Sequence, residues 1–140
     1  MICDELMIRE VETITPADTV QAAACLMRDE NIGFLPVCQT TTAVLGVITD
    51  RDIAIRVVTE NLSADTPVSE VMTDTVVSCR PQDDVYEAAE LMAENHVARI
   101  LCIDAAGRLA GVISLSDIAQ LGGSKAIDTF ARVSDRETRL

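Results

Sequence analysis

"GVITDRDIA" occupies residues 46 to 54 and "GVISLSDIA" residues 111 to 119; six of the nine letters agree at a separation of 65 residues. Sliding the chain against itself by that interval aligns residues 3–56 with 68–121 without a gap, at 16 identities. Glu5, Met7 and Val11 fall on Glu70, Met72 and Val76; Pro16, Asp18 and Val20 fall on Pro81, Asp83 and Val85. Ala23, Ala24, Leu26 and Met27 fall on Ala88, Ala89, Leu91 and Met92. A fixed period on this scale marks a duplicated supersecondary unit that needs a neighbour to bury its apolar face. The expected organisation is a first repeat at 3–60, a link at 61–67 ("NLSADTP"), a second repeat at 68–122 and a tail at 123–140.

The hydrophobic pattern changes in kind within each copy. A short extended stretch ("VETIT", 11–15; "VVSCR", 76–80) is followed by Pro16 or Pro81 and an acid-rich helix start at Asp18-Thr19 or Asp83-Asp84. Val20, Ala23, Ala24 and Met27 follow i, i+3, i+4, i+7 spacing, as do Val85, Ala88, Ala89 and Met92, which predicts an amphipathic helix with a small-residue face. Two strand candidates come next: "IGFLPVC" (32–38) and "AVLGVIT" (43–49), then "VARILCI" (97–103) and "RLAGVIS" (108–114). "DAAG" at 104–107 reads as a hairpin turn and "QTTT" at 39–42 as a weaker one. A second helix opens at the repeated phrase and runs toward Val58 or Leu121. Each copy is therefore β-α-β-β-α, an α/β (α+β) unit too small to cover its own sheet, so two of them are expected to pack together. Gly122-Gly123 stop the last helix, and the tail is expected to add a short one around Ile127, Phe130 and Ala131.

Composition narrows the function classes. The 140 residues are 49% hydrophobic, but the aromatics are Tyr86, Phe34 and Phe130, so the core must be aliphatic. The formal charge of −12 is spread over both copies, which excludes the basic footprint of a nucleic-acid or anionic-membrane binder. "MICDELMIRE" has neither the basic nor the apolar region of a secretory signal, and no apolar run approaches the roughly 20 residues a membrane span needs; the expected compartment is the cytoplasm. Cys3, Cys25, Cys38, Cys79 and Cys102 are odd in number and form no C-x-x-C pair, so they read as small core hydrophobes rather than a disulfide framework or zinc knuckle. His96 stands alone and reads as a helix-end polar residue, and no nucleophile-elbow or other catalytic signature is present.

The order β-α-β-β-α, the "LPV" at 35–37, and Gly46, Thr49 and Asp52 echoed by Gly111, Ser114 and Asp117 together resemble the cystathionine-β-synthase (CBS) domain, present as a tandem pair. The resemblance covers roughly residues 3 to 122. It implies a pseudo-twofold regulatory module, not an enzyme, with two clefts between the copies that bind adenosine-containing ligands: AMP, ADP, ATP, S-adenosylmethionine or NAD. It further implies a stand-alone energy-sensing protein that needs no cofactor, forms a homodimer and signals to an unknown protein target.

The resemblance assigns the ribose hydroxyls to Asp52 and Asp117, and a hydroxyl or phosphate role to Thr49 and Ser114. Ionised acceptors make the stronger hydrogen bonds to a ribose diol, and the amides of a helix start favour anions. It places a phosphate contact at Arg99, where the first copy has Phe34, and Arg51, between two acids at a helix start, is a second phosphate candidate. It places adenine contacts on the backbone of Thr13, Ile14, Ser78 and Cys79, which are equally ordinary strand residues. Thr-x-x-Asp and Ser-x-x-Asp are equally variants of the helix capping box, and each Arg is equally a surface charge paired with an acid. Because "DR" at 50–51 is replaced by "LS" at 115–116, the two sites are expected to be unequal. The competing class is a structural or interaction protein with vestigial clefts that mediates assembly.

Overall fold

The computed structural model describes residues 1–39 and 43–138. The turn expected at 39–42 therefore falls, Gln39 apart, outside the described residues. The chain is a mixture of helix and strand, as the alternating patterns require, and it divides into two compact units: Glu12–Val76, and Met1–Val11 together with the residues from Val77 onward.

The N-terminal helix of the second unit, α1 (Cys3–Leu6), comes first in the chain. In the first unit, α2 (Val20–Glu30) starts where Thr19 Oγ1 accepts from the Ala22 amide at 3.0 Å and ends at Asn31, which turns left-handed at φ 55°. It buries Val20, Ala23 and Met27. Strands β1 (Phe34–Cys38) and β2 (Val44–Thr49) pair antiparallel from Phe34↔Thr49, with a bulge at Val37/Cys38. "VETIT" contributes a single parallel bridge, Ile14 to Val37. The phrase forms α3 (Asp50–Asp52), which continues as a π-helical turn, Ile53–Val58. Such turns are uncommon and cluster at functional sites.

The second unit repeats this register 65 residues on. Strand β3 (Ser78–Cys79) lies parallel to β4 (Arg99–Ile103), which pairs antiparallel with β5 (Leu109–Ser114) from Arg99↔Ser114, and the bulge recurs at Cys102/Ile103. Helix α4 (Val85–Asn95) ends on a left-handed His96 at φ 52°, the counterpart of Asn31. The "DAAG" turn forms as expected: Asp104 Oδ1 accepts from the amides of Ala106 and Arg108, and Gly107 supplies φ 82°. Helix α5 (Leu115–Leu121) stops at Gly122.

The head of each sequence repeat packs in the unit built mainly from the other repeat. Val68 and Val71 are buried with Ile14, Val20 and Ile48, and Thr73 exchanges two backbone hydrogen bonds with Val47 at 2.8 and 2.9 Å. In the second unit Cys3 and Met7 are buried with Val85, Ile100 and Ile113, and Ile8 exchanges the same pair with Val112 at 2.9 and 3.0 Å. Gly46 and Gly111 explain themselves here: a Cβ on Gly46 would lie 2.6 Å from the Thr73 carbonyl oxygen, and one on Gly111 2.8 Å from that of Ile8. The repeated phrase begins with glycine because a neighbouring backbone lies across it. Link residues hydrogen-bond the start of α2, with Val20 N donating to Thr66 O and Gln21 N to Ala64 O.

The tail helix differs from expectation. Helix α6 spans Gly123–Thr138, longer than the short helix expected around Ile127, Phe130 and Ala131, and buries Ala126, Thr129 and Val133, while Ile127 is 71% and Phe130 53% exposed. Ala126 and Val133 share a core cluster with Ala88, Ala89 and Met92 of α4, and Arg132 reaches Glu90 on α4 at 2.9 Å. His96 is a helix-end residue as expected, its Nδ1 2.8 Å from the Arg132 carbonyl oxygen. Cys3, Cys38, Cys79 and Cys102 are buried and Cys25 is half-buried, all as free thiols. Among the described residues no helix is long and apolar enough to cross a membrane.

Candidate functional site

At the mouth of α3, strand β2 delivers Thr49 as N-cap. Its Oγ1 accepts from the Asp52 amide at 3.1 Å, and Asp52 Oδ2 accepts from the Thr49 amide at 3.0 Å, a complete capping box. The second carboxylate oxygen of Asp52 is also engaged: Oδ1 accepts from Thr73 Oγ1 at 3.4 Å and lies 3.7 Å from Arg56 Nε. Arg56 additionally donates to the carbonyls of Val71 and Met72, both at 3.3 Å. Arg51 is exposed, and its amide donates to Asp50 Oδ1. Asp50 lies against Gly33, where a Cβ would come within 2.6 Å of its Oδ2.

The mouth of α5 has the same frame and different contents. Ser114 Oγ accepts from the Asp117 amide at 3.2 Å, and Asp117 Oδ2 accepts from the Ser114 amide at 2.9 Å. Ser114 Oγ also lies 2.8 Å from Ser116 Oγ. The positions that correspond to Thr73 and Arg56 are Ile8 and Leu121, whose side chains carry no donor. Among the described residues nothing donates to Oδ1 of Asp117. Arg99 is the cross-strand partner of Ser114, so β4 and β5 bring a guanidinium, a hydroxyl and a carboxylate to one end of the sheet. In the first unit Phe34 holds the place of Arg99 opposite Thr49. The predicted residues Thr49, Arg51 and Asp52 thus gather at one helix mouth, and Arg99, Ser114 and Asp117 at the other.

The adenine candidates lie at the strands that precede α2 and α4. Ile14 is buried, its N–H donates to Pro36 O at 3.1 Å and its carbonyl accepts from Cys38 N at 2.8 Å, so its backbone is committed to β1. Thr13 beside it is exposed. In the second unit Ser78 is exposed while Cys79 points its thiol into the core. A hydrogen bond with Cys102, then burial, pushes the Cys79 thiol well above the ordinary cysteine range; burial pushes Cys3 up to about 12. Both are neutral thiols at physiological pH.

Arg56 and Thr73 escaped the sequence reading. Arg56 was within reach of it, four residues after Asp52 on the same helix face. Thr73 lies 21 residues away, and nothing local in "VMTDT" indicates that it meets β2. A groove in the second unit is lined by Tyr86, Glu87, Glu90, Lys125, Asp128 and Thr129, none of which carries a predicted site role.

The CBS domain family model matches residues 3–59 and again 68–122. The CBS domain-containing protein YhcV of Bacillus subtilis is 35% identical over 132 residues, which is 93% of each chain. Two solved structures share the fold. The CBS domain pair of protein MJ0100, in complex with 5′-methylthioadenosine and S-adenosyl-L-methionine, superposes at a TM-score of 0.78 with 23% identity, covering 88% of this chain and all of that one. CBSX2 in complex with AMP superposes at 0.76 with 20% identity, over 86% and 94% of the two chains.

Proposed function

This chain belongs to the CBS domain family, and we propose that it is a regulatory module that binds an adenosine-containing ligand at the helix mouths headed by Asp52 and Asp117. The observation that carries the reading is the state of Asp117: one oxygen orients the carboxylate through the cap, and the other is left for a ribose diol. Ser114 offers a hydroxyl beside it, and Arg99, its cross-strand partner, offers a cation for phosphate. The AMP held by CBSX2 and the methylthioadenosine and S-adenosylmethionine held by MJ0100 support adenosine as the shared chemistry. At Asp52 the ligand competes with Arg56 and Thr73 for the same oxygen, so the Asp117 mouth is the tighter. No residue is assigned a catalytic role. Ligand binding is read out through the assembly of a homodimer and an as yet unknown protein target.

A thermal-shift panel of AMP, ADP, ATP, S-adenosylmethionine and NAD, with light scattering on the same samples, tests this. A ligand at about 100 times its Kd adds roughly 2.7 kcal/mol of stability. Asp117→Asn, which keeps an acceptor for the Ser114 amide, should remove most of that gain, and Asp52→Asn the smaller part. If no compound raises the melting temperature, or both variants respond like the parent, the reading fails.

A further inference from the structure

We propose that Cys3, Cys79 and Cys102 form a binding site for one soft, thiophilic d10 cation of the Zn2+ or Cu+ kind, held by three cysteine sulfurs in the core of the second unit. Cys79 Sγ lies 3.8 Å from Cys3 Sγ and 3.6 Å from Cys102 Sγ, and all three sulfurs lie within 4.8 Å of one another. A Zn–S bond of about 2.3 Å in tetrahedral geometry places neighbouring sulfurs about 3.8 Å apart, so two of the three edges have the span a metal would impose. The ligands come from three elements: Cys3 opens α1, Cys79 ends β3, and Cys102 sits opposite Cys79 on β4. Joined by one ion, they would tie the head segment to the sheet.

The first unit is an internal control. The 65-residue register places Val68, Ile14 and Val37 where the second unit has Cys3, Cys79 and Cys102, and all three are buried in the first unit's core. The bridge Ile14↔Val37 is the counterpart of Cys79↔Cys102. Close packing at this spot is therefore met by aliphatic side chains, and sulfur at all three places is not needed for it. Thiolate donors in an apolar surround select soft ions over Mg2+ or Ca2+, and Met7 and Met92 belong to the same core cluster. On binding, each S–H bond breaks, its proton passes to solvent and the sulfur bonds the metal; no electron is transferred and no oxidant is needed. Apparent affinity must accordingly rise with pH. Among the described residues no fourth His, Cys, Asp or Glu joins the group, which leaves one position for a small external donor.

The test uses the full chain, reduced, stripped with a chelator and titrated without oxygen. One arm uses Co2+ as the spectroscopic stand-in for Zn2+; the other uses Cu+ against a chromophoric chelator. The expected result is one ion per chain in at least one arm, with a sulfur-to-metal charge-transfer band. Cys3→Val/Cys79→Ile/Cys102→Val, which copies the first unit's own packing, should weaken binding by at least about tenfold, the scale of losing even an outer-shell partner. Cys3→Ser and Cys102→Ser, close to the size of the thiol, give the same reading should the triple variant not fold. Cys25→Ser/Cys38→Ser should bind like the parent. Uptake below roughly a tenth of an ion per chain in both arms, or uptake unchanged in the cluster variants, overturns the proposal.

Discussion

Gly46→Ala should loosen the segment that leads to Thr73. The added methyl would lie 2.6 Å from the Thr73 carbonyl oxygen and 3.3 Å from its carbonyl carbon, where ordinary contact begins at 3.4 Å. The Thr73 backbone must retreat by about 0.8 Å to make room. That retreat stretches the 2.9 Å bond from Val47 N to Thr73 O beyond hydrogen-bonding range and strains its 2.8 Å reciprocal. One to two hydrogen bonds are worth about 1 kcal/mol each, and overpacking adds about 1–3 kcal/mol. Reduced freedom of the unfolded chain returns roughly 0.4–1 kcal/mol. The net expectation is a loss of about 1–4.5 kcal/mol, read as a lower urea midpoint at unchanged slope in far-ultraviolet circular dichroism of the full chain. A variant within about 0.5 kcal/mol of the parent would refute the claim that glycine is required for this backbone approach.

Two smaller effects follow from the caps and the hairpin. Ser114→Ala should cost about 1 kcal/mol in the same unfolding assay, because the Asp117 amide loses its acceptor, and Ser114→Thr should restore it. Asp104 accepts from the backbone amides of Arg108 and Ala106, which hold its carboxyl below the ordinary 3.8. A depressed carboxylate stabilises the fold above its unfolded value, and the contribution disappears as pH falls through the folded one. Asp104→Ala should therefore melt below the parent at neutral pH, and the gap should close below about pH 3.8; a gap that persists into stronger acid would contradict the hairpin role.

Much of the fold was legible in the chain because its elements are local. Strands β1 and β2 are joined by a short connection, as are β4 and β5. Their 65-residue offset carries through to the pairing register, the bulges at Val37/Cys38 and Cys102/Ile103, and the left-handed caps at Asn31 and His96. The helix mouths were legible for the same reason: Thr49 with Asp52, and Ser114 with Asp117, are three residues apart, so one turn of helix brings each pair together. That proximity also left capping and ligand binding indistinguishable in sequence, since both use the same atoms. The tail was less legible. Ile127 and Phe130 are its largest apolar residues, yet the helix turns Ala126, Val133 and the back-bonded Thr129 inward and leaves those two exposed.

Tertiary structure decided what depends on segments distant in the chain. Only there does Thr73 reach Asp52, making the two carboxylates unequal through Thr73 and Arg56 as well as through "DR" against "LS". Only there do Cys3 and Cys79, 76 residues apart, come within 3.8 Å. Neither contact leaves a local signature, because periodicity and capping report on neighbours within a turn or a hairpin. The duplicated sequence by itself determined two copies whose helix and hairpin stand in one register, while its first extended stretch became a two-residue strand in one unit and a single bridge in the other; which backbone lies across each glycine of the phrase, and so what each Asp and each core thiol meets, was settled by the docking of the head segments.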